Sequence, residues 1–389
     1  MKRKPLILSV LVLFVVFAAT TLIKMFTLDT EIELVQTIDL PELSVVTDMK
    51  TGDFRSKAIA VDGKIIQGTN REAQPTASTA KMILGLAIME KYPFDPGESG
   101  QTIEITLEFY NKYLWYVSHN GSNTAVSLGE KISEYDALVS VFLASSNNMA
   151  DTLAIWAFGN LENYRTYATE ILRKLGLENT HIGEDACGYS ETTTSTAEDL
   201  AVIASELLKN PVLREIVSLK SHAVPVAGTL INTNKILGDS LNGGSLITGV
   251  KTGHIGAVSG YNLISSYEVE NHTITMALLG ASTRTASFEE SKDELLRLSS
   301  EIAPVTIVAK DQPVGYFRTW WNGEHQIYAT EEIRTIAFSS PENSLTLSGQ
   351  SVKAILNEKE YETEVVYDDF SREPTFIERF LHIFGWESR

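Results

Sequence analysis

Pro75-Thr76-Ala77-Ser78-Thr79-Ala80-Lys81-Met82-Ile83-Leu84 sets a serine and a lysine three residues apart at the mouth of an apolar run. Apolar residues then recur at Met82, Ile83, Leu86, Ala87 and Met89 and stop near Tyr92-Pro93, a period that predicts a buried helix starting at Ser78. At this spacing the two polar side chains share a face, so the Lys81 amine can reach the Ser78 hydroxyl. A serine hydroxyl is a poor nucleophile at neutral pH and needs a base beside it. Lys81 can be that base if burial lowers its pKa, and the helix N-terminus would stabilise an oxyanion. The same residues also read as an ordinary helix cap followed by a solvated lysine, and the rest of the chain has to separate the two.

Outward from that stretch the chain is domain-like from Lys57. Asp62-Gly63 between Ala58-Ile59-Ala60-Val61 and Lys64-Ile65-Ile66 predicts a hairpin. Residues 101–180 read mostly helical, over Glu134 to Ala144 behind a Ser133-x-x-Asp136 cap, Met149 to Ala157, and Tyr164 to Leu175 closed by Gly176. Ser195 to Leu208 is a further helix, strands follow at Tyr261 to Ile264 and Thr273 to Leu279, and a helix over Glu289 to Ile302 closes the region. Distant strands around a helical block predict an α+β domain. After Pro304, short alternating runs with turns at Asn322-Gly323 and Pro341-Glu342-Asn343 predict a small all-β sandwich. Phe376, Ile377, Phe380, Leu381, Phe384 and Trp386 fall on one helical face, suited equally to a membrane surface or to packing on the β domain.

The 389 residues allow one large domain plus smaller pieces, and 32 basic against 50 acidic side chains leave a charge of −18 that argues against nucleic acid as a partner. Cys187 is alone, so an intrachain disulfide is excluded. Lys2-Arg3-Lys4 precedes an uncharged run from Pro5 to Ile23, which at the helical rise spans roughly 28 Å, close to the ~30 Å of a bilayer core. The run predicts a transmembrane segment, read as an uncleaved anchor rather than a cleaved signal, with everything after Lys24 on the extracytoplasmic side of the cell membrane. The expected organisation is an anchor over 1–26, a spacer over 27–55, the α+β domain over 56–303, the β-rich domain over 304–374 and an amphipathic helix over 375–389.

Two polar clusters follow Ser78 in order: Ser145-Ser146-Asn147-Asn148 between two helices, and Lys251-Thr252-Gly253-His254 at the start of a strand. Singly, the first is a capping turn and the second a strand opening with a glycine. Together SxxK, SxN and KTG are the signature of penicillin-binding proteins and class A β-lactamases. Neither a Gly-x-Ser-x-Gly elbow, a metal-ligand spacing among the seven histidines, nor a glycine-rich phosphate loop competes with them. The chain resembles the D-alanyl-D-alanine carboxypeptidases, low-molecular-mass penicillin-binding serine peptidases. Supporting stretches are Gly121-Ser122-Asn123, Ser195-Thr196-Ala197-Glu198-Asp199-Leu200-Ala201, Gly249-Val250 before Lys251, Gly260-Tyr261-Asn262-Leu263 and Leu279-Gly280-Ala281.

That resemblance implies a β-lactamase/transpeptidase-like domain, a sheet covered by helices, followed by a β-sandwich. It implies Ser78, Lys81 and Ser145 as catalytic residues and Asn147, Lys251, Thr252, Gly253 and His254 as substrate-binding residues. The implied substrate is a peptidoglycan stem peptide ending in D-Ala-D-Ala, with β-lactam antibiotics as covalent inhibitors and no metal or organic cofactor. The chain departs from the family pattern at Ile255, in a loop over 256–259 that is one residue longer, and at Ser287 where many members carry an arginine; Arg284 is the nearest substitute. A β-lactamase would need a deacylating glutamate, and no convincing glutamate-asparagine loop motif stands between Leu161 and Thr196. Endopeptidase and transpeptidase outcomes share the same site, and a membrane-tethered wall-binding scaffold without activity would have no reason to keep it.

Overall fold

Asp62 and Gly63 both have positive φ, 49° and 86°, and turn the chain between β1 (Ser56–Val61) and β2 (Lys64–Gly68) in the hairpin that Asp-Gly favours. The computed structural model describes residues 4–26, 33–40, 49, 51–336, 343–348, 350–367 and 373–384. It divides into two compact units, one of 44–304 and one of 1–43 with 305–389.

The helices of the larger unit include α1 (Lys81–Lys91), α2 (Leu107–Ser118), α3 (Glu134–Phe142), α4 (Asn147–Phe158), α5 (Ala197–Lys209) and α6 (Arg284–Glu301), with two more at Leu161–Lys174 and Pro211–Ser218. Three more strands, β3 (Gly249–His254), β4 (Tyr261–Val269) and β5 (His272–Ala281), complete a five-stranded antiparallel sheet in the order β3-β4-β5-β1-β2. The first and last segments of the unit therefore pair at its centre. Alternate residues of a strand point to opposite faces. Ala58, Ala60, Ala277 and Leu279 join the large core that Met82, Ile83, Leu138, Leu153 and Leu200 build from the helices. Ile59, Met276 and Leu278 are equally buried on the other face, where Leu295 and Leu298 of α6 pack. Burial on both faces is why β5 reads as a continuous apolar run.

Several element ends differ from the sequence expectation. The helix expected at Glu289 begins at Arg284, capped by the Thr283 hydroxyl, and the one expected at Ser195 begins at Ala197, capped by Thr196. In both cases polar first-turn residues hide the start of the apolar period.

The smaller unit holds a six-stranded antiparallel sheet and a two-stranded one, with Val308, Val314, Ile327, Val352 and Leu356 at its core. Glu33–Gln36, expected in a spacer, is an edge strand of the larger of these sheets, with Leu34 opposite Phe317. A strand so short carries too little alternation to be recognised. Phe376–Ile383 is helical behind a Thr375/Glu378 capping box, and the Phe380 and Phe384 rings meet at 4.8 Å, tilted by 48°. Lys4–Phe26 is helical, but among the described residues no helix is long and apolar enough to cross a membrane. The transmembrane segment expected over Pro5 to Ile23 is therefore not shown by the structure. The expected turn residues Pro341 and Glu342, and Trp386, lie outside the described residues.

Candidate active site

Ser78 does not begin an α-helix. Ala77–Ala80 is a 3₁₀ turn and α1 starts at Lys81 with no side-chain cap, so Ser78 is not spent on capping. Ala77 sits at φ 48°, a left-handed conformation for a residue with a Cβ, and the turn is pinned from two sides. Asn262 Nδ2 donates to the Thr76 carbonyl at 3.0 Å, and the Thr76 N–H donates to Thr193 O at 3.0 Å. On β3, a Cβ at Gly253 would stand 2.9 Å from Thr76 O and 3.2 Å from Ser78 N. Glycine is what lets this strand approach the Ser78 turn so closely.

Lys81 is fully buried, and its Nζ lies 2.8 Å from each of Ser78 Oγ, Asn147 Oδ1 and the Cys187 carbonyl oxygen. A charged amine donates to all three. A neutral amine keeps two N–H groups for the amide and carbonyl oxygens and turns its lone pair to the Ser78 hydroxyl. Burial lowers the pKa of Lys81, opposed by the Asp185 and Asp151 carboxylates.

The second cluster separates into two jobs. Ser146 caps α4 by accepting from the Met149 N–H, so the capping reading holds for this residue. Ser145, at φ 57°, is directed elsewhere: its hydroxyl accepts from Lys251 Nζ at 3.0 Å. Lys251 is buried on β3, and its pKa is pushed well below the ordinary lysine value by burial and then by the nearby Lys81.

Ser78, Ser145, Thr252, Gly253, His254 and Arg284 line one cavity of about 250 Å³, with Lys81, Asn147 and Lys251 beneath it. Thr252 shares a hydrogen bond of 2.7 Å with Thr233, a cavity residue with no sequence signal because it lies in an irregular connection. The His254 ring stacks on Tyr261 at 3.8 Å, with Nδ1 2.9 Å from Gly260 O. Arg284, the first residue of α6, reaches over the same Tyr261 ring at 6.0 Å. Ser287 also lines the cavity, but its hydroxyl donates to Arg284 O at 2.8 Å. The longer loop after His254 is tied by Ser259 Oγ, which accepts from the Ile255 N–H, and by Arg55, whose guanidinium donates to Val258 O and Ala257 O at 2.6 and 2.7 Å. Arg55 was expected in the spacer.

The Cys187 carbonyl, Thr233 and Asn262 are site members that sequence reasoning missed. A backbone carbonyl leaves no trace in residue type, whereas Asn262 stands in a stretch that carried the resemblance. A larger cleft of about 1030 Å³ beside Trp115 and Tyr189 contains neither Ser78 nor either buried lysine. Among the described residues, no group of three or more His, Cys, Asp or Glu side chains is arranged to hold a metal ion.

The family pattern described as D-alanyl-D-alanine carboxypeptidase, peptidase S11, matches residues 48–283. The chain belongs to this family. The S11 match spans every residue of the cavity up to Thr252, Gly253, His254 and Tyr261 and ends one residue before Arg284. Similar curated proteins include D-alanyl-D-alanine carboxypeptidase DacD of Salmonella typhimurium, 26% identical over 61% of this chain and 59% of that protein. DacF of Bacillus subtilis is 27% identical over 57% of this chain and 55% of that protein. The chain thus spans less than two thirds of the length of these relatives. Among solved structures, penicillin binding protein 5 from Haemophilus influenzae superposes with a TM-score of 0.59 at 19% identity, over 82% of this chain and 98% of that one. The Streptomyces K15 DD-transpeptidase gives 0.56 at 21% identity, over 66% and 98%. These likenesses show a shared penicillin-binding, transpeptidase-type α+β fold.

Proposed function

We propose that this protein is a serine-type D-alanyl-D-alanine carboxypeptidase, a hydrolase that removes the terminal D-alanine from peptidoglycan stem peptides. Neutral Lys81 takes the Ser78 proton as Ser78 Oγ attacks the carbonyl of the penultimate D-alanine. The backbone N–H groups of Ser78 and His254 receive the oxyanion. Ser145, backed by Lys251, passes a proton to the leaving amine, and Asn147 bonds the substrate amide. Thr252 and Lys251 hold the terminal carboxylate, with Arg284 as a second cation at the same end of the cavity. Gly253 works through its lack of a Cβ. Terminal D-alanine departs, and water hydrolyses the ester on Ser78.

The observation that carries this reading is the buried Lys81 amine placed 2.8 Å from the Ser78 hydroxyl. The same acylation makes β-lactams covalent inhibitors. Stem peptides lie outside the cytoplasmic membrane, so the catalytic unit belongs on the extracytoplasmic side; the Lys2-Arg3-Lys4 cluster ahead of the uncharged run supports that orientation.

The test is release of D-alanine from diacetyl-lysyl-D-alanyl-D-alanine by the full chain, with Ser78→Ala as control. Release that the substitution abolishes is the expected result. No release, or release that survives in Ser78→Ala, would end the proposal.

A further inference from the structure

The turn over 185–190 is gathered around one side chain. Asp185 Oδ1 accepts from the backbone N–H groups of Cys187 at 3.0 Å, Gly188 at 2.6 Å and Tyr189 at 3.2 Å, and its Oδ2 accepts from Ser190 N–H at 2.6 Å. Four donors on one carboxylate are charge-assisted bonds, stronger than the neutral bonds that usually close a turn. Two more contacts fix where the turn stands. The Ala186 N–H donates to Asp151 Oδ1 at 3.2 Å, and Gly188 lies so close to Ala77 that a Cβ would collide with the Ala77 carbonyl oxygen. From this turn the Cys187 carbonyl meets Lys81 Nζ at 2.8 Å. That carbonyl and Asn147 Oδ1 hold two positions of the amine, and the third is left facing Ser78.

We propose that Asp185 is a positioning residue for the Ser78–Lys81 pair: its carboxylate folds the 186–190 turn and so fixes the Cys187 carbonyl that orients the Lys81 amine. The inference rests on Ser78 and Lys81 acting as nucleophile and base. Asp185 lines the larger cleft beside Trp115 and touches neither Ser78 nor the cavity over it, so it acts through the turn.

The charge of Asp185 gives a signature that a purely structural residue lacks. The ionisable groups around Lys81 are Asp185 and Cys187 on the turn, Asp151 on α4 and Lys251 on β3. Burial holds the Cys187 side chain as a neutral thiol. Asp151 is already engaged, by Lys112 Nζ at 3.0 Å and Tyr116 Oη at 2.9 Å. Removing the Asp185 charge therefore removes an opponent of burial and moves the titration of Lys81 to lower pH.

The experiment compares the full chain with Asp185→Asn and Asp185→Ala. It follows Lys81 by NMR of ε-¹³C lysine (assigned with Lys81→Arg), amide exchange of Cys187 to Ser190, and acylation by a fluorescent penicillin across pH. Asp185→Ala is expected to lose exchange protection in the turn and to acylate about tenfold more slowly or worse at its plateau, the scale at which a displaced catalytic group is felt. Asp185→Asn keeps an acceptor oxygen. It is expected to retain most of the plateau, while the Lys81 midpoint and the rising limb of the profile move to lower pH. Variants that melt like the wild type and leave the Lys81 midpoint, turn protection and acylation profile unchanged would overturn the inference. If Asp185→Ala does not fold, the Lys81 midpoint in Asp185→Asn decides alone. A wild type that penicillin does not label would count against the peptidase reading, while the midpoint and exchange measurements still decide the role of Asp185.

Discussion

Lys57, Lys81 and Lys251 are each at most 1% exposed, yet they are treated in opposite ways. Lys57, on β1, lies 2.7 Å from the buried Glu294 carboxylate, which also pairs with Arg297, and a Phe54 ring covers the ammonium at 4.6 Å. Lys81 and Lys251 are met by hydroxyl, amide and carbonyl oxygens, and among the described residues neither forms an ion pair with a carboxylate. A buried charge without a counter-ion is costly, and the group answers by lowering its pKa. The ion pair on one face of the sheet holds structure together, whereas on the other face burial lowers the pKa of two lysines that are met by neutral oxygens. Burial alone does not separate the two kinds of lysine; a paired carboxylate, present at Lys57 and absent among the described residues at Lys81 and Lys251, does.

The largest test of this contrast is Lys81→Arg. A guanidinium keeps the charge but cannot serve as a base, so acylation is expected to fall by roughly 10²–10⁴-fold while the protein stays folded, read by fluorescent penicillin labelling. Gly253→Ala should come next. Its Cβ, 2.9 Å from Thr76 O, must push β3 away from the nucleophile turn, and a displacement of that kind costs on the order of 100-fold in acylation rate. Lys57→Met should do the reverse. It leaves Glu294 with Arg297 alone, and about 3 kcal/mol of stability is expected to disappear in urea unfolding while the folded fraction acylates at the wild-type rate. Loss of acylation with stability intact would break the distinction between the two kinds of lysine.

Two smaller effects follow from linkage. The folded-state pKa of Lys251 lies below that of the unfolded chain, so the unfolded state binds more protons between the two values. Stability should then rise as pH climbs toward 10.5, with a reduced slope in Lys251→Met. Glu134 has the opposite sign. Burial raises its carboxyl from 4.5 to about 7, so the folded state holds a proton that the unfolded state releases, and stability is lost as pH rises through that window. Glu134→Gln should flatten this part of the stability curve.

Much of this was legible in the residues, because SxxK, SxN and KTG are short local patterns and the Asp62-Gly63 hairpin is local as well. What the sequence withheld is physically of another kind. The expected helix start at Ser78 failed because the four residues of the 3₁₀ turn Ala77–Ala80 have the same composition as a first α-turn. The Cys187 carbonyl is backbone, and its place depends on contacts between Gly188 and Ala77, far apart in the chain. Glu33–Gln36 entered a sheet because of strands nearly 300 residues further on, which no local window can see. Nor does any pattern say that Lys57 is paired and Lys251 is not, since Glu294 lies 237 residues from its partner.

The most direct measurement is the pH dependence of penicillin acylation in the wild type and in Lys81→Arg. An acylation rate that rises along one limb to a plateau, with a midpoint below 10.5 and no such limb in Lys81→Arg, is the expected result. A rate independent of pH, or a Lys81→Arg variant that acylates like the wild type, would contradict the assignment of Lys81 as the base.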